Sequence, residues 1–158
     1  MVLSFINMKI FVYSIEKNSS DNFTKLIEQH KKMIQKYAKI EEIMIFNKKI
    51  SVAQNRDANI AKESYTEAFL PKMNGYNIAL HPAGREVESF EFSENFANIS
   101  TLNFFIAGAF GFNDEFLKKC DKVISLSRLT FSHKIAKTVL FEQIFRALSI
   151  VNNHPYHK

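Results

Sequence analysis

Five short runs dense in β-branched and aromatic residues recur along the chain, and the stretches between them carry apolar residues at helical spacing. This alternation constrains the fold more than any other feature, because strands joined by helices build a mainly parallel sheet with covered faces. The runs are Lys9 to Ile15 (KIFVYSI), Ile40 to Phe46 (IEEIMIF), Tyr76 to Leu80 (YNIAL), Leu102 to Ala107 (LNFFIA) and Lys122 to Leu126 (KVISL). YNIAL is expected to stop at His81-Pro82-Ala83-Gly84-Arg85. Between the first two runs, Phe23, Leu26, Ile27, His30, Ile34 and Tyr37 form one face of an amphipathic helix, behind the capping oxygens of Ser19, Ser20 and Asp21. Lys25, Lys31, Lys32 and Lys36 lie mostly off that face and read as a solvated surface, with RNA contact the less favoured reading. Asn47 to Met73 is expected to be helical in its later half and ended by Pro71 and Gly75. Ser89 to Ile99 holds a weak helix, Asn113-Asp114-Glu115 caps and charges a helix start, and His133 to Val151 forms the last helix. No linker or repeat divides the chain, so the expectation is one α/β domain over residues 1–158, with 1–7 an N-terminal extension ahead of a candidate start at Met8.

The last helix is apolar on more than one side. Ala136, Leu140, Ile144, Ala147 and Leu148 make one stripe, and Ile135, Val139 and Phe145 lie beside it. A surface helix needs a single stripe. Either a second subunit covers the excess, most simply in a symmetric homodimer, or the helix is buried at the centre of the fold.

Twenty-one basic against sixteen acidic residues leave a net charge of +5, which suits a polyanion partner without establishing one. The lone Cys120 has no partner for an internal disulfide, and no Cys/His cluster has zinc spacing, so no metal is expected. Nothing approaches the ~18 apolar residues of a membrane span, and the first residues make a poor signal peptide. These features read as a reduced, cytoplasmic protein.

Ligands of open α/β sheets bind beyond the carboxyl ends of the strands. Here three segments leave such ends: HPAGR, Gly108-Ala109-Phe110-Gly111, and Ser125 to Thr130. None has the spacing of a dinucleotide fingerprint, a P-loop or a nucleophile elbow. His81 reads as a loop histidine. His133 sits at a helix start, where the dipole disfavours a protonated ring, and reads as a neutral cap or hydrogen-bond partner. His154 and His157, in the polar tail, are the stronger functional candidates.

Two quoted stretches go further. IAGAFGF (Ile106 to Phe112), followed by VISLSRLTFSHKIAKTVLFEQIFRALSIVNNHPYHK (Val123 to Lys158), closely resembles the small SPOUT-class methyltransferases that modify a pseudouridine at N3 in large-subunit ribosomal RNA. That family carries Gly-Gly-x-x-Gly after a strand, then Leu-Ser-x-x-Thr-x-Pro-His, Glu-Gln-x-Tyr-Arg-Ala and a terminal Tyr-His-Arg or Tyr-His-Lys. The resemblance runs from about Met8 to the end, by pattern in the first third and by identity in the last. It implies an α/β knot: a mainly parallel sheet with a deep C-terminal trefoil knot, in a homodimer. It implies S-adenosylmethionine as cofactor, held by Leu80, Gly84, Ala107, Gly108 and Gly111, with Leu126, Ser127, Arg128, Leu129, Thr130 and Phe131 wrapped around it. It implies ribosomal RNA as substrate. Tyr156 would stack on the base and His157 would hydrogen-bond it or take its proton. Arg146 and Glu142 would hold the tail or the base. His133, His154 and Lys158 are the further substrate contacts, Lys158 meeting phosphate. The chain departs from the family at Ala107 for the first glycine, at Ser132 for the usual proline, at Phe145 for the tyrosine, and in HPAGR. A methyl at Ala107 is tolerable only at negative φ, and Ser132 gains an N-cap for the last helix. The rival expectation is a non-catalytic ribosome-assembly factor that keeps the knot.

Overall fold

The computed structural model describes residues 7–158, so the expectation of an N-terminal extension falls, for residues 1–6, outside the described part. In chain order the elements are β1 (Lys9–Ile15), α1 (Asn22–Ile34), β2 (Lys39–Ile45), α2 (Lys48–Gln54), α3 (Ala58–Phe69), β3 (Tyr76–Glu86), α4 (Ser89–Ser93), β4 (Thr101–Ile106), α5 (Asp114–Lys119), β5 (Lys122–Ser125) and α6 (His133–Val151). The five strands form one sheet in the order β2-β1-β4-β3-β5, and every pairing is parallel.

Because side chains alternate across a strand, each buried strand feeds two cores. Ile10, Val12, Phe104 and Ile106 point to the layer of α1, α4 and α6. Tyr13, Ile15, Phe105 and Ala107 point to the layer of α2, α3 and α5. The second core is a stack of rings: Phe105 lies 5.1 Å from Phe69 and 5.3 Å from Phe116, and Phe116 lies 5.0 Å from Phe112. Both faces of the sheet are thus covered, which is why the strands read as continuous apolar runs.

Two elements differ from expectation. The stretch after Phe46 is helical in its first half as well, as α2, with Asn47 capping it through a bond from Ile50 N–H. And β3 does not stop at HPAGR. Its ladder with β5 slips between Leu80 and Arg85 and resumes as Arg85–Ile124 and Glu86–Ser125. Gly84 permits this, since a Cβ there would fall 2.8 Å from the backbone of Val123 and Ile124. The segment is a bulge that bends β3 over the end of β5, where a proline and a glycine resemble a chain stop.

The caps follow the sequence. Asp21 closes a capping box with Thr24 at α1, Asn113 caps α5, and Ser132 caps α6. α1 and α6 pack side by side and run parallel: Lys134 pairs with Asp21 at their starts, and Tyr37 meets Phe145 at their ends. Between them lies a buried ion cluster. Lys137 Nζ sits 2.9 Å from Glu16 and 2.6 Å from Glu42, and Lys31 reaches Glu42 at 3.0 Å.

Candidate functional site

The register aligns Leu80, Ile106 and Ile124 near the carboxyl ends of β3, β4 and β5. A cleft of about 540 Å³ opens there, well within the size range of small-molecule sites. Leu80, His81 and Pro82 form one wall, Ala107 through Phe112 a second, and Leu126, Ser127, Leu129, Thr130 and Phe131 a third. Ser132, His133 and Ala136 close it at the start of α6. Of the eleven expected cofactor residues, Gly84 and Arg128 are outside this lining. Gly84 supports the bulge instead.

Residues 108–111 form a tight turn, with Gly111 N–H donating to the Gly108 carbonyl over 3.1 Å. Gly111 occupies φ +78°, a conformation that favours glycine. Gly108 is a glycine for a different reason. A Cβ there would lie 2.6 Å from the hydroxyl of the fully buried Tyr65. Ala107 is absent from the positive-φ residues, so its methyl sits in the core unstrained.

Among the described residues the cleft lining holds no Asp, Glu, Lys or Arg; its titratable groups are His81 and His133. His81 Nδ1 accepts the Ala83 N–H over 3.0 Å, which places the hydrogen of the neutral ring on Nε2. Burial first, then Lys62, pushes its pKa below the usual histidine value, with Asp114 opposing. His81, Pro82 and Phe110 lie in segments expected at the ligand end of the sheet, but neither they nor Phe112 are among the expected site residues. Ser132 takes the cap as expected, and His133, for which a cap or hydrogen-bond role was open, lines the cleft instead of capping.

The second constellation is the tail. α6 ends in a Schellman motif, with Asn153 at φ +58° and bonds from Asn153 N–H to Ile150 O and from His154 N–H to Ser149 O. This reversal lays the tail back along α6. Tyr156 donates its hydroxyl to Glu142 Oε1 over 2.8 Å, and Arg146 donates to the same oxygen over 2.6 Å. The Arg146 guanidinium also lies 4.7 Å from the Tyr156 ring centre and 3.1 Å from His157 Nδ1. A guanidinium only donates, so His157 is the acceptor and its free Nε2 carries the hydrogen. Desolvation and the Glu142 bond raise the Tyr156 pKa and hold the phenol protonated. Phe90 packs edge-on against His157 at 5.1 Å. His154 packs against Tyr37 and Phe145 and accepts the Tyr156 N–H on Nδ1 over 3.3 Å, so it braces the tail from behind, and Lys158 is exposed beyond it.

Cleft and tail share no residue. His133 and Arg146 stand thirteen residues apart on one helix, or ~20 Å at 1.5 Å per residue. The surface near the cleft stays open: Leu129 is 75% and Ile135 43% exposed, so α6 is not a fully buried central helix.

Comparison with known proteins places this arrangement. The family model described as Predicted SPOUT methyltransferase matches residues 8–157. Ribosomal RNA large subunit methyltransferase H of Aliarcobacter butzleri is 51% identical over 96% of this chain and 100% of its own length. The protein of the same name from Campylobacter jejuni strain RM1221 is 47% identical over 96% of this chain and 98% of its own. A solved structure of a probable methylase family protein from Haemophilus influenzae superposes with a TM-score of 0.56 at 17% identity, covering 98% of this chain and 71% of that one, a likeness of fold. By its family match and its near full-length relatives, the chain belongs to the SPOUT methyltransferases, in the group of ribosomal RNA large subunit methyltransferase H.

Proposed function

We propose that this methyltransferase acts in the cytoplasm as a homodimer with a trefoil-knotted C-terminal half. It moves the methyl group of S-adenosylmethionine to N3 of a pseudouridine in large-subunit ribosomal RNA, on the assembled ribosome. The observation that carries the reading is the tail: Tyr156 and His157 are both fixed by the Glu142–Arg146 pair, in a chain about half identical to proteins named for that RNA.

The cleft suits the cofactor by its chemistry, with apolar walls, turn backbone and no charged side chain to compete with a sulfonium. When bound, S-adenosylmethionine supplies an electrophilic methyl group. Leu80, Ala107, Gly108, Gly111, Leu126, Ser127 and Leu129 to Phe131 would hold it, and the apolar walls exclude water. Gly84 acts indirectly by seating the β3 bulge, and Arg128 stands outside. Tyr156 offers its ring to the base, and such stacking is worth roughly 1–3 kcal/mol. His157 presents its Nε2 hydrogen to a base carbonyl. With Nδ1 engaged by Arg146, the N3 proton passes to water instead of the imidazole. Lys158 meets phosphate, and His133 waits at the cleft mouth. The ~20 Å between cleft and tail supports a dimer in which one subunit's tail serves the other's cleft, with Leu129 and Ile135 covered between them.

The test is transfer of labelled methyl from S-adenosylmethionine to purified ribosomes lacking the modification, with the labelled nucleotide mapped by mass spectrometry. Label on a large-subunit pseudouridine is expected. No label, from protein that dimerises and binds ribosomes, would return the chain to the assembly-factor reading.

A further inference from the structure

The lysines of α1 divide into two kinds. Lys31 is inward, its side chain 16% exposed and clasped by Glu28 and Glu42. Lys25, Lys32 and Lys36 are exposed, and no ion pair engages them among the described residues. Their spacing of seven and four residues returns to one side of a helix at 3.6 residues per turn. They form a stripe ~16 Å long on the outer face of α1, continued just past its last residue. The neutral, exposed Gln29 stands between Lys25 and Lys32 on that side. Glu28, the one acidic residue of α1, is engaged by Lys31.

The stripe leads to the tail. α1 runs parallel to α6, and Tyr37, next in sequence to Lys36, meets Phe145 and His154 at the base of the tail. From there the half-buried Arg146 lies over the Tyr156 ring and the exposed Lys158 ends the chain.

We propose that Lys25, Lys32 and Lys36 form a track for the phosphate backbone of the substrate RNA, which delivers the target nucleotide to the tail. The inference rests on the RNA-methyltransferase reading and extends it by naming the docking surface. A stripe of unpaired ammonium groups suits a strand of regularly spaced phosphates, each contact releasing counterions. It would position the RNA without reading its sequence, consistent with a specificity supplied at the tail.

The experiment compares three proteins: wild type, the Lys25→Gln/Lys32→Gln/Lys36→Gln variant, and Lys48→Gln/Lys72→Gln/Lys118→Gln. The last variant removes the same charge from exposed lysines of the opposite layer. Binding to purified large subunits is followed by sedimentation across a salt series, beside methyl transfer and calorimetric cofactor affinity. The stripe variant is expected to bind on the order of tenfold or more weaker at ~0.15 M salt, with the salt slope flattened by about 2. Its cofactor affinity and melting temperature should match wild type, and the control variant should bind like wild type. Gln29→Glu, which sets a carboxylate inside the stripe, should weaken binding on its own. Equal binding by stripe variant and wild type, or equal weakening by the control, would overturn the track while the enzyme reading stands. A wild-type protein that neither binds nor methylates large subunits would overturn both readings together.

Discussion

Replacing Lys137 with methionine tests what holds α6 in place. Lys137, Glu16 and Glu42 have side chains 4%, 6% and 9% exposed, so solvent screens them little. Removing the cation leaves Glu16 without an ionic partner, while Glu42 retains Lys31 at 3.0 Å. Breaking a buried pair from one side costs about 3–5 kcal/mol, most of it the burial of an uncompensated charge. Because only one of the two carboxylates is orphaned, the lower end, about 3 kcal/mol, is expected. For a domain of this size each kcal/mol moves the melting temperature by about 2–4 °C, so Lys137→Met should melt on the order of 10 °C lower at pH 7. The pH dependence supplies a second signature. Despite burial, its bonds to Lys137 and Lys31 keep the Glu42 pKa below the usual glutamate value. Its stabilisation is therefore present above the unfolded glutamate pKa of about 4.3 and lost as pH falls through the lower folded value. Part of that stabilisation is the bond to Lys137, so the deficit should hold from pH 7 to about pH 5 and shrink as pH falls below about 4.3. Adding Glu16→Gln should recover part of it at pH 7. Thermal melts by circular dichroism across that range are sufficient. A melting temperature within ~2 °C of wild type at pH 7, or a deficit that grows on acidification, would refute the claim that buried charge fixes α6.

Three further outcomes follow from the site. Gly108→Ala places a methyl 2.6 Å from the Tyr65 hydroxyl, and the buried ring has no room to retreat, so calorimetry should show cofactor affinity lost with the cleft turn displaced. Tyr156→Phe keeps the ring against Phe145 and Arg146 but loses the bond to Glu142. Its kcat on ribosomes should fall several-fold more than its cofactor affinity. Cys120, its thiol pushed up to about 12 by burial and by Asp121, should react with thiol reagents at pH 8 far more slowly than a free thiol of pKa ~8.5, as timed labelling will measure.

Much of this was legible because local rules and global packing agree. The strand runs, the caps at Asp21, Asn113 and Ser132, and the last helix all state their structure in the residues that form them. The failures came where local chemistry points one way and tertiary contact another. HPAGR carries two chain-breaking residues, yet Gly84 lying flat on β5 lets β3 resume its ladder. The lysines near α1 are alike in sequence, and only Glu42 across the helix–sheet boundary separates Lys31 from its exposed neighbours. Gly108 lines the cleft as a turn glycine, but the contact that demands a glycine there is the Tyr65 hydroxyl, forty-three residues earlier and invisible to local pattern. His81 reads as a loop histidine in a strand-end segment, and nothing local sets a cleft histidine apart from a loop one.

One helix therefore serves three purposes, and their order along it matters. His133 and Ala136 close the cleft, Lys137 anchors to the sheet, and Glu142 and Arg146 hold the tail. At 100° per residue a rotation of α6 by a single position would turn every one of these groups away from its partner. The apolar stripe alone tolerates such a slip, because Ile135 and Val139 beside it are apolar too. A buried cation between two carboxylates does not tolerate it, since Glu16 left without its cation in the core costs more than new apolar packing would offset. The ion cluster thus gives α6 the register that its apolar faces leave ambiguous, and with that register it sets cleft wall and tail at fixed positions along one helix.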